Sequence, residues 1–259
     1  MAETQARDGA SASRRVRRFF IALGALCLLA TVFAALVLRG VVKLNTPSRA
    51  DFPIWGVDVS HYQGEIDWEA LAAQGVRFAF IKATEGSGHV DERFFANARG
   101  AAAAGIPAGG YHFFSFESAG ETQAENFLAA LRGQPLSLPC VVDLEFYGEF
   151  FDHPPDVEET RSELRVLLEA LEEATGQTPI LYATQRSYRM YLEGAFDEYP
   201  LWLRDVYLWP ALTLPGRDWT FWQYSDKGRL EGYEGEEEYI DFNVFNGGED
   251  DFARWLEQA

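Results

Sequence analysis

Two acids set one residue apart at the end of an apolar run are the first sign of chemistry in this chain. The run is Cys140-Val141-Val142-Asp143-Leu144-Glu145-Phe146. It reads as a short buried strand, and side-chain alternation puts Asp143 and Glu145 on one face with Leu144 on the other. Burying two carboxylates is costly unless they are hydrogen-bonded or protonated. At a strand end in a cleft, such a pair can divide into one charged and one neutral catalytic group. The same two acids would also serve to cap the next helix or hold a neighbouring loop, so the elements around them have to separate the readings.

Those elements alternate. The sequence predicts strands at Ile54–Ser60, Arg77–Ala83, Ala108–Phe114, Cys140–Phe146 and Ile180–Ala183. Helices fall between and after them, near Trp68–Gln74, Glu92–Ala104, Glu121–Leu131, Val157–Thr175 and Gln185–Leu192. Gly75 and Gly176 stop two of these helices. Three further strands, Leu201–Asp205, Thr220–Tyr224 and Tyr239–Phe245, follow with little helix between them, and Asp250–Gln258 closes the chain as a short helix. Alternating strands and helices imply a parallel sheet with helices outside it. Eight strands in this length imply an α/β barrel whose helix layer thins toward the end. A doubly wound open sheet is the alternative, although no glycine-rich phosphate loop follows a strand.

In a barrel of this kind the site lies at the carboxyl ends of the strands. The polar residues predicted there are Asp58 and Ser60; Lys82, Thr84 and Glu85; Tyr111 and His112; Asp143 and Glu145; Tyr182; Trp202 and Asp205; Gln223; and Asp241 with Asn243. Several acids and aromatic rings converge on one mouth. Carboxylates flanking a bond, with rings on which sugars stack, are what glycosidic cleavage needs.

Six motifs now carry a resemblance. They are Gly56-Val57-Asp58-Val59-Ser60-His61-Tyr62-Gln63-Gly64, Phe80-Ile81-Lys82-Ala83-Thr84-Glu85-Gly86, Gly110-Tyr111-His112-Phe113, Val142-Asp143-Leu144-Glu145, Pro179-Ile180-Leu181-Tyr182 and Trp222-Gln223-Tyr224-Ser225. In this order they resemble glycoside hydrolase family 25, the Chalaropsis-type N-acetylmuramidases, over about residues 54–247. The resemblance implies a modified TIM-like (β/α)5(β)3 barrel. It implies cleavage of the β-1,4 bond between N-acetylmuramic acid and N-acetylglucosamine in peptidoglycan glycan strands. It makes Glu145 the general acid, with Asp143 and Asp58 as catalytic partners. Asp241, Tyr111, Tyr182, Trp202 and Gln223 become substrate-binding groups. One aspartate would either hold the 2-acetamido group for internal attack, with Asp143 favoured, or activate a water for inversion. Like-charge repulsion from Asp143 and Asp58 is expected to keep Glu145 protonated. The sixth strand departs from the family pattern: Arg204 and Asp205 alter the groove or pair with each other. The loop from Phe146 to Pro155 is expected to shape substrate choice.

Several residues have plainer readings. His112 is expected to be a structural hydrogen-bonder, and Lys82 with Glu85 an ion pair. Trp209, Trp219 and Trp255 are expected to pack, and Glu234 to Glu238 to form a solvated turn. No cofactor or metal is called for, since the strand ends lack clustered histidines. A metal-dependent barrel hydrolase is disfavoured on that ground. The rival function is a catalytically silent peptidoglycan-binding module on the same fold, which would have no need of all four acids. The sequence assigns no oligomeric state.

Charge and hydropathy set the surroundings. The chain of 259 residues has a net charge of −18, yet residues 1–50 hold eight basic and two acidic side chains, which leaves −24 beyond them. So acidic a domain excludes nucleic acid as a partner. Residues 1–18 read as a disordered, basic, cytoplasmic tail. Phe19–Leu38 then runs 20 residues without a charge, the length of a membrane-spanning helix. Four arginines before it place the amino terminus inside and the rest outside the cytoplasmic membrane. The expected domains are a tail at 1–18, a transmembrane anchor at 19–42, a linker at 43–52 and a catalytic domain at 53–259. Secretion after signal cleavage is the alternative, but the apolar run is longer than a signal core and lacks a small-residue cleavage site.

Overall fold

The computed structural model describes residues 2–39 and 41–258. Side chains are described for Arg17–Val37, for Arg39 and for 41–257, so Arg7, Arg14 and Arg15 of the basic tail lie outside the described side chains. The chain divides into a first unit ending at Leu44 and a second unit beginning at Asn45.

The first unit is a helix, α1 (Ala2–Leu38). Its segment Arg17–Val37 is long and apolar enough to cross a membrane, and none of it is buried by protein. The backbone is already helical from Ala2, where the sequence reading expects a disordered tail. Ala and Arg, both good helix formers, are frequent in that stretch.

The second unit is a closed eight-stranded barrel. Its strands are β1 (Trp55–Val59), β2 (Ala79–Glu85), β3 (Ala108–Phe113), β4 (Val141–Leu144), β5 (Ile180–Thr184), β6 (Leu201–Arg204), β7 (Phe221–Gly228) and β8 (Ile240–Phe245). Neighbours from β1 through β7 pair in parallel, while β8 runs antiparallel between β7 and β1 and closes the ring. Four helices cross over between the first five strands: α2 (Trp68–Ala73), α3 (Phe94–Ala103), α4 (Gly120–Leu131) and α5 (Val157–Thr175). After β5 only short helical turns remain. The segment read as a linker contains Asn45, which is 1% exposed and donates to the Asp205 and Tyr224 carbonyls at 3.1 and 2.8 Å.

Period-two alternation decides what fills the barrel. Ile54, Phe80, Val141, Ile180, Phe221 and Phe245 point inward and form one core at its floor. Their outward neighbours Trp55, Ile81, Val142, Leu181, Trp222 and Val244 meet the helices in a second core. Above the apolar floor the inward positions turn polar: Asp58, Asp143, Gln223 and Asn243. The barrel is therefore oily at the bottom and polar at the mouth.

The longest crossover illustrates how the sequence fixes an element. Asp156 caps α5 by accepting from the amides of Glu158 and Glu159, and Gly176, at φ 70°, ends it in the left-handed conformation. Thr160, Leu164, Leu167, Leu168 and Leu171 make its buried stripe. Gly120 opens α4 against this helix. A β-carbon there would lie 2.1 Å from the Glu163 carbonyl oxygen, and backbone cannot yield as a flexible side chain can. Gly120→Ala is therefore expected to cost about 1–3 kcal/mol, roughly 2–4 °C per kcal/mol in a domain this size. Thermal melting measures this; an unchanged midpoint would mean that α4 and α5 separate freely.

Candidate active site

At the mouth, hydrogen bonds tie five strands to one carboxylate. Asn243 Nδ2 donates to Asp58 Oδ1 at 2.6 Å. Gln223 Nε2 donates to both Asp58 oxygens at 2.9 and 3.1 Å and to Asp241 Oδ2 at 3.1 Å. These donors are themselves oriented: Trp202 Nε1 donates to Asn243 Oδ1 at 2.8 Å, and the Tyr182 hydroxyl donates to Gln223 Oε1 at 3.0 Å. An amide can present its N–H side to Asp58 only if its oxygen faces the other way, and the indole and phenol enforce that orientation. Register supports the arrangement, because Asp58 lies directly opposite Asp241 and Gly56 opposite Asn243 across the β1–β8 pair.

Asp143 lies across the cleft on β4. It is 7% exposed, and its Oδ1 is buried without a hydrogen-bond partner. Glu145 follows just beyond the strand end, half-buried at the rim. Burial is the first cause lifting all four carboxyls above their ordinary values. For Asp143 the Glu145 charge adds to it. For Asp241 the Asp58 charge does so. Asp58 is partly held down by the amide hydrogen bonds. Glu145 is lifted by burial, eased by Arg204, and lifted again by Asp58. The sequence reading makes like charges the cause of the Glu145 shift; burial is the larger one.

Two hollows share these acids. One, of about 590 Å³, extends past Phe146, Phe151, Tyr182, Thr184, Arg186, Trp202 and Arg204. The other, of about 450 Å³, extends past Ser60, Tyr62, Lys82, Phe113, Asp226, Glu237 and Tyr239. Asp58, Tyr111, Asp143, Glu145 and Asp241 line both. The result is a continuous groove with its carboxylates at the middle, the shape a polymer needs in order to lie across a cutting point. Among the described residues no three His, Cys, Asp or Glu side chains converge as metal ligands.

A barrel with carboxylates at mid-groove directs the comparison to glycan-cleaving enzymes. The family model described as glycosyl hydrolases family 25 matches residues 57–233. The chain belongs to family 25. It is a glycoside hydrolase. A family 25 glycosyl hydrolase from Bacillus anthracis has a similar structure, with a TM-score of 0.76, 46% identity, and coverage of 82% of this chain and 96% of that one. The protein YegX of Escherichia coli O157:H7 is 36% identical, covering 80% of this chain and 75% of its own length. Lysozyme M1 of Streptomyces globisporus is 33% identical, covering 75% and 68% respectively.

All eight residues expected at the family 25 site line the first hollow. They differ in access. Trp202 is 2% and Gln223 1% exposed, and the Trp202 ring stacks on Phe80 at 4.4 Å between centroids, so its face is already covered. Asp241 reaches the mouth from the start of its strand, not the end, because β8 runs antiparallel. Arg204 pairs with Asp226 at 3.1 Å. Of the two alternatives for Arg204 and Asp205, pairing with each other is not made, since Asp205 Oδ1 accepts from the Tyr207 and Leu208 amides, whereas Arg204 does line the groove. Lys82 pairs with Glu85 at 2.8 Å as expected. His112 is buried between Thr84 Oγ1 at 2.7 Å and Gln123 Oε1 at 3.0 Å, and burial lowers its pKa to about 4. Arg186, Thr184 and Asp226 were missed. Following β5 two residues past its end and β7 through its full length would have found them.

The raised carboxyls make stability depend on pH. Folded Asp143 keeps its proton to a higher pH than the unfolded chain, whose value is near the ordinary 3.8. The stability this contributes is full below the unfolded value and is lost as pH rises through the folded one. Asp143→Asn removes the charge and so the loss. Near pH 7 it is expected to be more stable than the native chain by on the order of 1 kcal/mol, with the two converging at acid pH. Melting curves across pH measure this; a variant less stable at pH 7 would contradict it.

Proposed function

We propose that the chain is a peptidoglycan muramidase, cutting the β-1,4 bond between N-acetylmuramic acid and N-acetylglucosamine. The observation that carries this reading is Glu145 beside Asp143, whose Oδ1 is buried and unpartnered, in the middle of an open groove on a family 25 barrel. The name lysozyme, borne by the relative from Streptomyces globisporus, supports it.

Glu145 is the general acid. Raised above 4.5 by burial, it carries the proton that the leaving sugar oxygen takes as the glycosidic bond breaks. Asp143 accepts from the N–H of the 2-acetamido group, aiming the acetamido oxygen at the anomeric carbon. Glu145, now ionised, then removes a proton from the water that opens the ring so formed. Asp58, whose anion is held by two amides, faces the positive charge that develops on the sugar. Trp202, Tyr182 and Gln223 act in this reading as positioning groups behind Asp58 and Asp241, while half-exposed Tyr111 meets the sugar from the groove floor.

The helix segment Arg17–Val37 supports a membrane anchor, with the tail at 1–18 inside the cell and the domain outside. In this reading the anchor extends over 19–42, the linker over 43–52 and the catalytic domain over 53–259. Full-length chain is then expected to stay with membranes through an alkaline carbonate wash; its extraction into the wash would contradict the anchor.

Full-length protein in detergent, given purified peptidoglycan, is expected to release muropeptides ending in reducing N-acetylmuramic acid. The first product should be the β anomer by NMR, before mutarotation. Glu145→Gln is expected to lose about 10²–10⁴-fold of the rate while still sedimenting with the wall. If neither protein releases muropeptides and both sediment, the domain is a binding module.

A further inference from the structure

Arg186 is unlike the other cations of the groove. Lys82 is paired with Glu85 and Arg204 with Asp226. Among the described residues, Arg186 has no carboxylate within 4.0 Å. Its Cζ instead lies over the Phe146 ring, 4.5 Å from the centroid. Phe146 is 4% exposed and immediately follows Glu145 in the chain, and both Arg186 and Glu145 line the same hollow. A guanidinium held over a ring keeps its N–H donors around its edge, free to grip a carboxylate in a two-point fork. Its base is rigid. Thr184 Oγ1 accepts from the Ser187 amide at 3.2 Å, and the Ser187 hydroxyl accepts from the Thr184 amide at 3.0 Å, which fixes the turn that carries Arg186. The hollow on this side holds both arginines and the exposed ring of Phe151. The hollow on the other side adds Asp226 and Glu237 beyond the shared acids. Asp226 is taken up by Arg204 and Lys82 of the second hollow by Glu85, so the unpaired cation lies at the Arg186 end of a groove in a domain that is otherwise strongly acidic.

We propose that Arg186 recognises the carboxylate of the muramoyl unit, either on its 3-O-lactyl ether or on the attached stem peptide. This rests on the muramidase reading for the identity of the ligand. Arg186 is a specificity-determining group, distinct from the proton-transfer machinery. Arg186→Ala is therefore expected to weaken binding of carboxylate-bearing ligand.

The test is calorimetric binding by the full-length Glu145→Gln chain in detergent, with and without Arg186→Ala. Three ligands are used: glycan fragments bearing stem peptides, fragments stripped of peptide with free lactyl carboxylates, and stripped fragments whose carboxylates are amidated. We expect Arg186→Ala to raise Kd about tenfold on carboxylate-bearing fragments and less than twofold on amidated ones, with Arg186→Lys intermediate. A stem peptide is attached through the lactyl carboxyl, so only stripped fragments carry a lactyl carboxylate. Loss confined to them assigns the lactyl group, loss confined to the peptide-bearing fragments assigns a peptide carboxylate, and loss on both shows a fork that takes either. Equal weakening on all three fragments would mean that the side chain only supports Phe146, and would overturn the proposal. So would unchanged binding, or no binding by either chain. No turnover by the native chain with this binding pattern intact would overturn the muramidase reading alone.

Discussion

The four central carboxylates, Asp58, Asp143, Glu145 and Asp241, have lost most of their water, and the barrel replaces part of that water with oriented N–H groups. Asp58 is the pivot. It receives Asn243 and Gln223, which are fixed by Trp202 and Tyr182 behind them. An unmade hydrogen bond to a buried polar atom costs about 1–3 kcal/mol, so each donor is held to its place by the penalty for leaving it. Asp143 is the exception: one of its oxygens bears that penalty in the resting protein. In the proposed reading that oxygen accepts a donor from substrate, and the stability gain expected on neutralising Asp143 reflects the same penalty.

The topology follows from this constraint. Seven parallel strands bring their carboxyl ends, and with them Asp58, Tyr111, Asp143, Tyr182, Trp202 and Gln223, to one rim. Closing the ring with antiparallel β8 brings the start of a strand to the same rim, so Asp241 and Asn243 face Asp58 directly. With helices thinned after β5, the side of the barrel that carries Arg186, Arg204 and Phe151 is built from strand ends and short turns. The aromatic floor of Phe80, Phe221 and Phe245 keeps water from reaching the network from below.

Much of this is legible in the chain. Alternation finds all eight barrel strands, α5 is read to the residue, and Asp143 with Glu145 is visible as a pair before any fold is considered. What escapes depends on partners distant in sequence. Trp202 reads as a substrate-binding group because the family resemblance puts it in the groove; only the barrel reveals Phe80 covering its face. Thr84 and Lys82 share a parity, yet a register shift between them in the β2–β3 pair separates them. Lys82 stays at the mouth and Thr84 turns out to His112. The cause of the Glu145 shift also escapes, since sequence exposes nearby charges but not the depth of burial.

The central claim is that burial keeps a proton on Glu145 in the resting enzyme. Carbon-13 NMR titration of the glutamate carboxyls, with Glu145 assigned by its loss in Glu145→Gln, tests this most directly. The account predicts a Glu145 midpoint clearly above 4.5, with the aspartates of the groove titrating over a broad, shared range. A Glu145 carboxyl that titrates at the ordinary value, independent of its neighbours, would contradict it.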